Sequence, residues 1–297
     1  MNYKLCLCLN EHNKQLYSTF LINNLIDIIK IINMDQATIN HLKEALKNGI
    51  DQKQIPQHLY KYRDKIEKVK DLLCEKQIYL STVKQFNDPF EGKADIQSGG
   101  AEKNWYDYFI QQKVSGNDAS KYAKYYHKNK AKGEKIIRQV ITDVINQTGF
   151  YCLASKADNL LMWSHYADCH KGFCVEFDLS QDLDTFCTLS KVNYSNNYIS
   201  YNFLIDQKGP YNTISHKSKD WEYEEEYRII RQDQTGPLKI NPQAITAIIF
   251  GCKTEQKDID EIKKFLLGNN EYKHVILKQT VLDPKSYKLN IRVIKYS

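Results

Sequence analysis

Apolar residues recur along this chain at two different spacings, and the spacing changes near residues 58 and 150. In residues 21–32 and 39–50 they recur every three or four positions, which predicts two helices. Asn48 and Gly49 form a typical helix stop. We therefore predict that residues 1–55 are a helical N-terminal extension.

The rest of the chain combines short apolar runs with polar helical stretches. Strands are predicted at residues 58–63, 77–81, 150–155, 172–178, 223–231, 244–250, 274–278 and 289–296. Helices are predicted at residues 64–76, within 104–146, at 160–166 and at 257–267. Strands outnumber helices after residue 150 and their connections are irregular, which favours an α+β fold over a doubly wound sheet. The prediction is one main domain, residues 56–297, whose core is a split or bent mixed sheet with helices.

Composition and the N-terminal sequence indicate where in the cell the protein is expected. No run approaches the roughly 18 consecutive apolar residues that a membrane helix needs, and the N-terminus lacks the basic start and the cleavage site of a signal peptide. We therefore expect a cytoplasmic protein with no membrane partner. The eight cysteines contain no CxxC pair and are expected to be reduced. A net charge of +6 is compatible with a nucleic-acid partner without requiring one.

Residues 121–135 form a basic stretch with six lysines and one acid, interleaved with Tyr122, Tyr125 and Tyr126. Such a pattern can bind single-stranded nucleic acid by stacking and phosphate contacts. The alternative is a solvated helix face, which is the commoner origin of such a run.

Four blocks of the main domain stand out by their order and spacing. They read LYKYR (59–63), FNDPFE (86–91), LMWSHYADCHKGFCVEF (161–177) and WEYEEEYR (221–228). Together they resemble the bacterial domain of unknown function 2971 family, over residues 58–297. That family name implies no established chemistry.

The layout is also remotely similar to ADP-ribosyltransferases of the toxin type. Those enzymes have an Arg or His on the first strand and a catalytic Glu late in the chain, often in a Glu-x-Glu pair. Arg63, Glu224 and Glu226 match that layout. The resemblance implies NAD-dependent ADP-ribosyl transfer with NAD as the substrate. The sequence leaves the acceptor open between a protein, a nucleic acid and a small molecule. A role as a toxin or anti-phage defence effector is what a transferase of this kind implies.

Glu224 and Glu226 are the predicted catalytic residues. Breaking the nicotinamide bond of NAD creates a ribosyl cation, which one carboxylate can stabilise while another takes the proton of the attacking nucleophile. Two residues apart on a strand, the pair would share one face and shift each other's pKa. The alternative is an exposed acidic strand start that pairs with lysines.

Arg63, Trp163, Ser164, His165 and Tyr166 are the predicted contacts with NAD. Arg63 would bind the pyrophosphate through its planar guanidinium, unless it forms a surface ion pair. Trp163 or Tyr166 would stack on a ring of NAD, and His165 would hydrogen-bond a ribose. Trp163 has a second interpretation as a core residue, because it ends a run of four apolar residues.

Polar residues around these blocks have structural interpretations as well. Asn87 and Asp88 either line the cleft or bond their own turn before Pro89. Arg228 is expected to neutralise Glu226 or Asp88.

Two other functions remain open from the sequence. A metal-dependent nuclease would use Asp88, Glu91 and Glu224, although no metal-ligand spacing is present, so no metal site is predicted. A non-catalytic ligand- or protein-binding module is the main rival. An enzyme needs Glu224 or Glu226 to face an open pocket, whereas a binding module would leave both in a closed network.

Overall fold

The structure is a computed structural model that describes residues 36–97, 99–206 and 208–294. Its α-helices are α1 (Gln36–Asp51), α2 (Ile66–Glu75), α3 (Glu102–Gln111), α4 (Gly116–Lys128), α5 (Lys130–Gln147), α6 (Leu160–Tyr166), α7 (Leu183–Phe186), α8 (Gly209–Ile214) and α9 (Gln256–Leu267). Its strands are β1 (His58–Arg63), β2 (Gln77–Leu80), β3 (Asp95–Gln97), β4 (Gly149–Ala154), β5 (Phe173–Asp178), β6 (Leu189–Lys191), β7 (Asn193–Ser195), β8 (Ser200–Asn202), β9 (His216–Ser218), β10 (Glu226–Arg231), β11 (Gly236–Lys239), β12 (Ile245–Phe250), β13 (Ile276–Leu282) and β14 (Leu289–Val293).

Eight strands form one sheet in the order β14-β13-β12-β5-β1-β4-β10-β6. β12 and β13 run parallel, and the other neighbours in this sheet run antiparallel. This arrangement confirms the predicted α+β class with a mixed sheet and helices.

Alternation along the strands gives the sheet two different faces. One face carries Leu59 and Phe177, and it packs with the apolar side of α2 and α9 into the main core. The opposite face carries Tyr60 and Tyr62, which pack around Trp163 of α6. The opposite face also holds Glu226 and Arg228, which align with Ala154 and Cys152 of β4.

The long helical region resolves into α3, α4 and α5, which share a second apolar cluster with Phe150 of β4 and Ile230 of β10. Tyr126 is buried in this cluster, and Tyr122 and Tyr125 pack against it. Tyr126 is therefore a core residue, whereas Tyr122 and Tyr125 stay partly exposed beside the lysines.

The N-terminal region is described from residue 36 onward, so the helix predicted at residues 21–32 lies outside the described residues. α1 continues to Asp51, and the expected stop at Asn48 and Gly49 is wrong. Gly49 packs against Ile55, where a Cβ would come within 2.7 Å of the Ile55 side chain. Leu46 of α1 is buried in the main core.

The sheet is split between β1 and β4. These strands are aligned only at Tyr60 and Ala154. At the other end of β4, Phe150 forms an isolated bridge with Ser81. Between the two pairings the edge of β4 has no strand beside it among the described residues, and the split positions the site.

Candidate active site

A pocket of about 420 Å³ opens at this split, within the size range of small-molecule sites. It is lined from the sheet by residues of β1, β4 and β10, and from above by the loop after β2 and by α6. The lining residues are Tyr60, Lys61, Tyr62, Ser81, Gln85, Phe86, Asn87, Glu91, Phe150, Cys152, Leu153, Ala154, Met162, His165, Tyr166, Lys217, Glu224, Glu226 and Arg228.

Three carboxylates, Glu91, Glu224 and Glu226, meet in this pocket from different elements. Glu226 begins β10, Glu91 ends the FNDPFE loop, and Glu224 ends a short 3-10 helix, Lys219–Glu224. The predicted strand at 223–231 therefore starts late, and Glu224 is not on a strand beside Glu226. Glu225 adopts a left-handed φ of 44° between them, which turns the chain and brings both neighbouring side chains to the pocket.

Arg228 is almost completely buried beneath the carboxylates and uses all five of its N–H donors. Nε and Nη2 bind the two oxygens of Glu226 at 2.8 and 2.9 Å. Nη1 and Nη2 bind the two oxygens of Glu91 at 3.0 and 2.8 Å, and Nη1 also binds the Ile214 carbonyl at 2.9 Å. Arg228 thus neutralises Glu226 as predicted, while its other acidic partner is Glu91 and not Asp88.

Lys217 and Tyr166 bind the third carboxylate, Glu224. The Lys217 ammonium lies 2.6 Å from Glu224 Oε2, and the Tyr166 hydroxyl donates to Oε1 at 2.6 Å. Lys217 also lies 3.3 Å from Glu91 and 3.4 Å from Glu226. Three carboxylates against two cations leave this buried cluster with a formal charge of −1.

The two predicted catalytic glutamates have pKa values displaced in opposite directions. Burial alone would raise the pKa of Glu226, but the charge and hydrogen bonds of Arg228, with the charge of Lys217, hold it well below its usual range. Burial raises the pKa of Glu224, and the charge of Glu226 adds to this, against the opposing effects of Lys217 and Tyr166. Opposite shifts of neighbouring carboxyl groups are typical of a fixed anion beside an acid or base.

Lys61 is a half-buried cation that the sequence interpretation missed. Its Nζ donates to the Cys152 carbonyl of β4 at 2.7 Å and lies 4.7 Å from the centre of the Tyr151 ring. It therefore occupies the split at the carbonyl that a neighbouring strand would otherwise bond. Burial, with the nearby charge of Arg63, lowers the pKa of Lys61 to about 8.

The predicted NAD contacts divide into two groups. His165 and Tyr166 line the pocket, and His165 Nδ1 lies 2.9 Å from the Tyr223 hydroxyl. Arg63, Trp163 and Ser164 are not among the described residues that line it.

Each of the residues outside the lining has another partner. Arg63 Nη2 donates to the Tyr151 hydroxyl at 3.3 Å, and Ser164 Oγ lies 3.1 Å from His170 Nε2. Trp163 is fully buried, and its indole N–H donates to the Ala157 carbonyl at 2.7 Å. Trp163 is therefore a core residue.

The FNDPFE loop combines both of its predicted roles. Asp88 Oδ1 accepts from the Phe90 backbone N–H at 2.9 Å, which fixes the turn. Asn87 lines the pocket and its amide donates to the Tyr166 hydroxyl at 3.4 Å. Asp88 is thus a structural residue, whereas Asn87 lies against the site.

Metal sites and membrane-spanning helices have no candidates among the described residues. No group of three or more His, Cys, Asp and Glu side chains there is arranged to hold a metal ion. Among the described helices, none combines the length and apolarity needed to cross a membrane.

Comparison with known proteins supports one of the two resemblances. Residues 162–229 match the family described as protein of unknown function (DUF2971), which confirms that resemblance over this segment. The matched segment runs from α6 through Lys217 to β10, so it includes Tyr166, Glu224, Glu226 and Arg228. No curated protein and no solved structure matches the chain.

Proposed function

We propose that this chain is an NAD-dependent ADP-ribosyltransferase whose active site is the pocket at the split between β1 and β4. The observation that carries the proposal is the pair Glu224 and Glu226, which line one pocket with pKa values displaced in opposite directions. Breaking an N-glycosidic bond requires a stable negative charge near the ribose and a group that accepts a proton.

In the proposed reaction the bond between the ribose and nicotinamide breaks, and nicotinamide leaves with the electron pair. Glu226, held ionised by Arg228, keeps negative charge beside the ribosyl cation. The acceptor's nucleophilic atom then bonds to the ribose carbon, and its proton passes to Glu224. The raised pKa of Glu224 suits that role, because a more basic carboxylate takes a proton more readily.

In this proposal Lys61 binds the pyrophosphate of NAD, a role that the sequence interpretation assigned to Arg63. Lys61 is the cation of β1 that lines the pocket, and the Cys152 carbonyl accepts from one of its three N–H donors. The other donors suit a phosphate oxygen of NAD. Phe86 and Tyr166 supply rings on which nicotinamide or adenine would stack.

Because NAD is an intracellular metabolite, the proposed reaction belongs in the cytoplasm. A toxin or an anti-phage defence effector is the proposed setting, with a protein or nucleic acid as acceptor.

The test is to incubate the purified chain with NAD carrying one label on nicotinamide and another on adenosine, with and without a cell extract. The proposal expects free nicotinamide, and adenosine label on a macromolecule when extract is present. NAD that stays intact under both conditions would reject the proposed activity.

The closed ion network supports a second candidate, a non-catalytic ligand-binding module. All five donors of Arg228 and both oxygens of Glu226 are engaged within the protein, as a structural network would be. Calorimetry together with the nicotinamide assay separates the candidates, because a binding module would bind NAD in this pocket and release no nicotinamide, whereas the enzyme would do both.

A further inference from the structure

The pocket that contains Glu91, Glu224 and Glu226 is called the carboxylate pocket below. Lys217 lines this pocket and also a second one, of about 350 Å³, next to it. This second pocket, which we call the platform pocket, is formed by the FNDPFE loop, the segment after β7 and strand β9. Its lining residues are Phe90, Lys93, Ser195, Asn196, Asn197, Tyr198, Ile199, His216, Lys217 and Ser218.

Two aromatic rings form the exposed side of the platform pocket. Phe90 is 58% exposed and Tyr198 is 49% exposed. Their ring centres lie 6.5 Å apart with 45° between the planes. Two large rings that stay open to solvent side by side, on segments far apart in sequence, offer a surface on which a planar ring can stack.

The polar groups of the platform pocket suit an anion with hydrogen-bonding edges. Lys93 places its ammonium 5.4 Å from the centre of the Phe90 ring, and none of the described lining residues is acidic. His216 Nδ1 lies 2.7 Å from the Asn212 carbonyl, so this nitrogen carries the proton. In the neutral ring, Nε2 is then an acceptor, and Asn196 and Asn197 add amide groups to the lining.

We propose that the platform pocket binds a nucleotide, either free or within a single strand. The base stacks on Phe90 and Tyr198, and a phosphate lies near Lys93. Lys217 lines both pockets, so a nucleotide that is bound within a strand lies beside the proposed active site and is the acceptor of ADP-ribosyl transfer. Its role as acceptor rests on the proposed function, whereas nucleotide binding does not.

The test measures binding of a fluorescent single-stranded 12-mer by anisotropy, in DNA and RNA forms and without NAD. Replacing Phe90 and Tyr198 together by Ala should weaken binding about tenfold or more, since a base stacked on an aromatic ring contributes about 1–3 kcal/mol. Lys93→Gln should lower the salt dependence by about one phosphate contact. Competition by adenosine monophosphate separates the two sources. If the pocket binds a free nucleotide, adenosine monophosphate displaces the 12-mer; if the pocket requires a longer strand, the 12-mer stays bound.

Two control variants make the result specific. Tyr287→Ala removes a ring that is 98% exposed elsewhere and should leave binding unchanged. Replacing Lys124, Lys128 and Lys130 by Gln removes three positive charges from the basic helices, against one in Lys93→Gln. In this variant, loss of the Phe90 and Tyr198 rings should still weaken binding. Unchanged binding in the Phe90 and Tyr198 double variant, or loss in the lysine variant alone, would overturn the proposal.

The outcome of the strand-binding experiment does not depend on the proposed function. Strand binding that depends on Phe90 and Tyr198, in a protein that does not cleave NAD, would reject the transferase and leave the nucleotide site. NAD cleavage without any strand or mononucleotide binding would reject the nucleotide site alone.

Discussion

Arg228 and Glu91, 137 residues apart in sequence, are joined by two parallel hydrogen bonds of 2.8 and 3.0 Å inside the protein. The same guanidinium holds Glu226 by a second pair of bonds. Arg228 therefore ties the FNDPFE loop to β10 across the pocket. Arg228 is the main partner of both carboxylates, and Lys217 lies 3.3 Å from Glu91 and 3.4 Å from Glu226 as a second cation.

Removing that cation should be costly. Arg228→Met keeps much of the apolar stem but leaves Glu91 and Glu226 buried without their main partner, so we expect the free energy of unfolding to fall by about 3–5 kcal/mol. Urea denaturation of the full chain measures it. Arg138→Met breaks an exposed pair with Glu134 and should change stability by about 1 kcal/mol or less. Equal effects of the two substitutions would contradict the structural role of Arg228.

Lys61 gives a prediction for the pH dependence of stability. Burial lowers its pKa from the usual 10.5 to about 8, so between those pH values the folded protein has released a proton that the unfolded chain still binds. Stability gained from this group therefore rises with pH across that window. We expect the free energy of unfolding of the wild type to rise relative to Lys61→Met as pH is raised from about 8 to 10.

Lys65→Met serves as the control for this experiment, because Lys65 is exposed and lies between β1 and α2. The difference between the wild type and this variant should stay constant over the same pH range. A constant difference for Lys61→Met as well would show that Lys61 is solvated and does not fill the split.

Local patterns allowed much of the secondary structure to be predicted. β1 and α6 have the bounds expected from the sequence, 58–63 and 160–166, because alternation and helical spacing are properties of neighbouring residues. The predicted start of β10 was wrong. Three consecutive glutamates have no hydrophobic periodicity, and they do not indicate that Glu225 adopts a left-handed conformation.

The site required information that local patterns do not contain. Period-two alternation places Lys61 on the face opposite Tyr60, so its presence in the pocket depends on the split from β4. Strand pairing joins residues that are far apart in sequence, and nothing in the residues of β1 indicated that β4 would separate from it. Similarly, Arg228 was expected to pair with Glu226 or Asp88; it pairs with Glu226, but its second acidic partner is Glu91.

The turn between α6 and β5 stores backbone strain. Asp168, Cys169 and His170 have φ angles of 44°, 51° and 72°, in a region that costs residues other than Gly about 1–2 kcal/mol each. We expect Cys169→Gly to preserve or raise the melting temperature. Cys169→Val should lower it, because a β-branched residue fits this region poorly.

Cys74 provides the matched comparison, since it is exposed and lies within α2. Glycine should lower stability there by about 0.3 kcal/mol, because in a helix glycine costs about 1 kcal/mol and cysteine about 0.7 kcal/mol relative to alanine. Destabilisation by glycine at both positions would show that Cys169 does not hold the left-handed conformation in solution.

The rate at which Glu224→Gln transfers ADP-ribose to an acceptor, compared with the rate of Glu225→Gln, tests whether the carboxylates of the pocket are catalytic. The two substitutions are chemically identical and adjacent, yet Glu224 lines the pocket, whereas Glu225 bonds Ser155 and Lys156 outside the described lining. We predict that the wild type transfers the adenosine label of NAD to a macromolecule of the cell extract, that Glu224→Gln lowers the rate of this transfer by about 100-fold or more, and that Glu225→Gln changes it by about twofold or less. Equal transfer rates in the two variants, or no transfer by the wild type, would contradict the proposal.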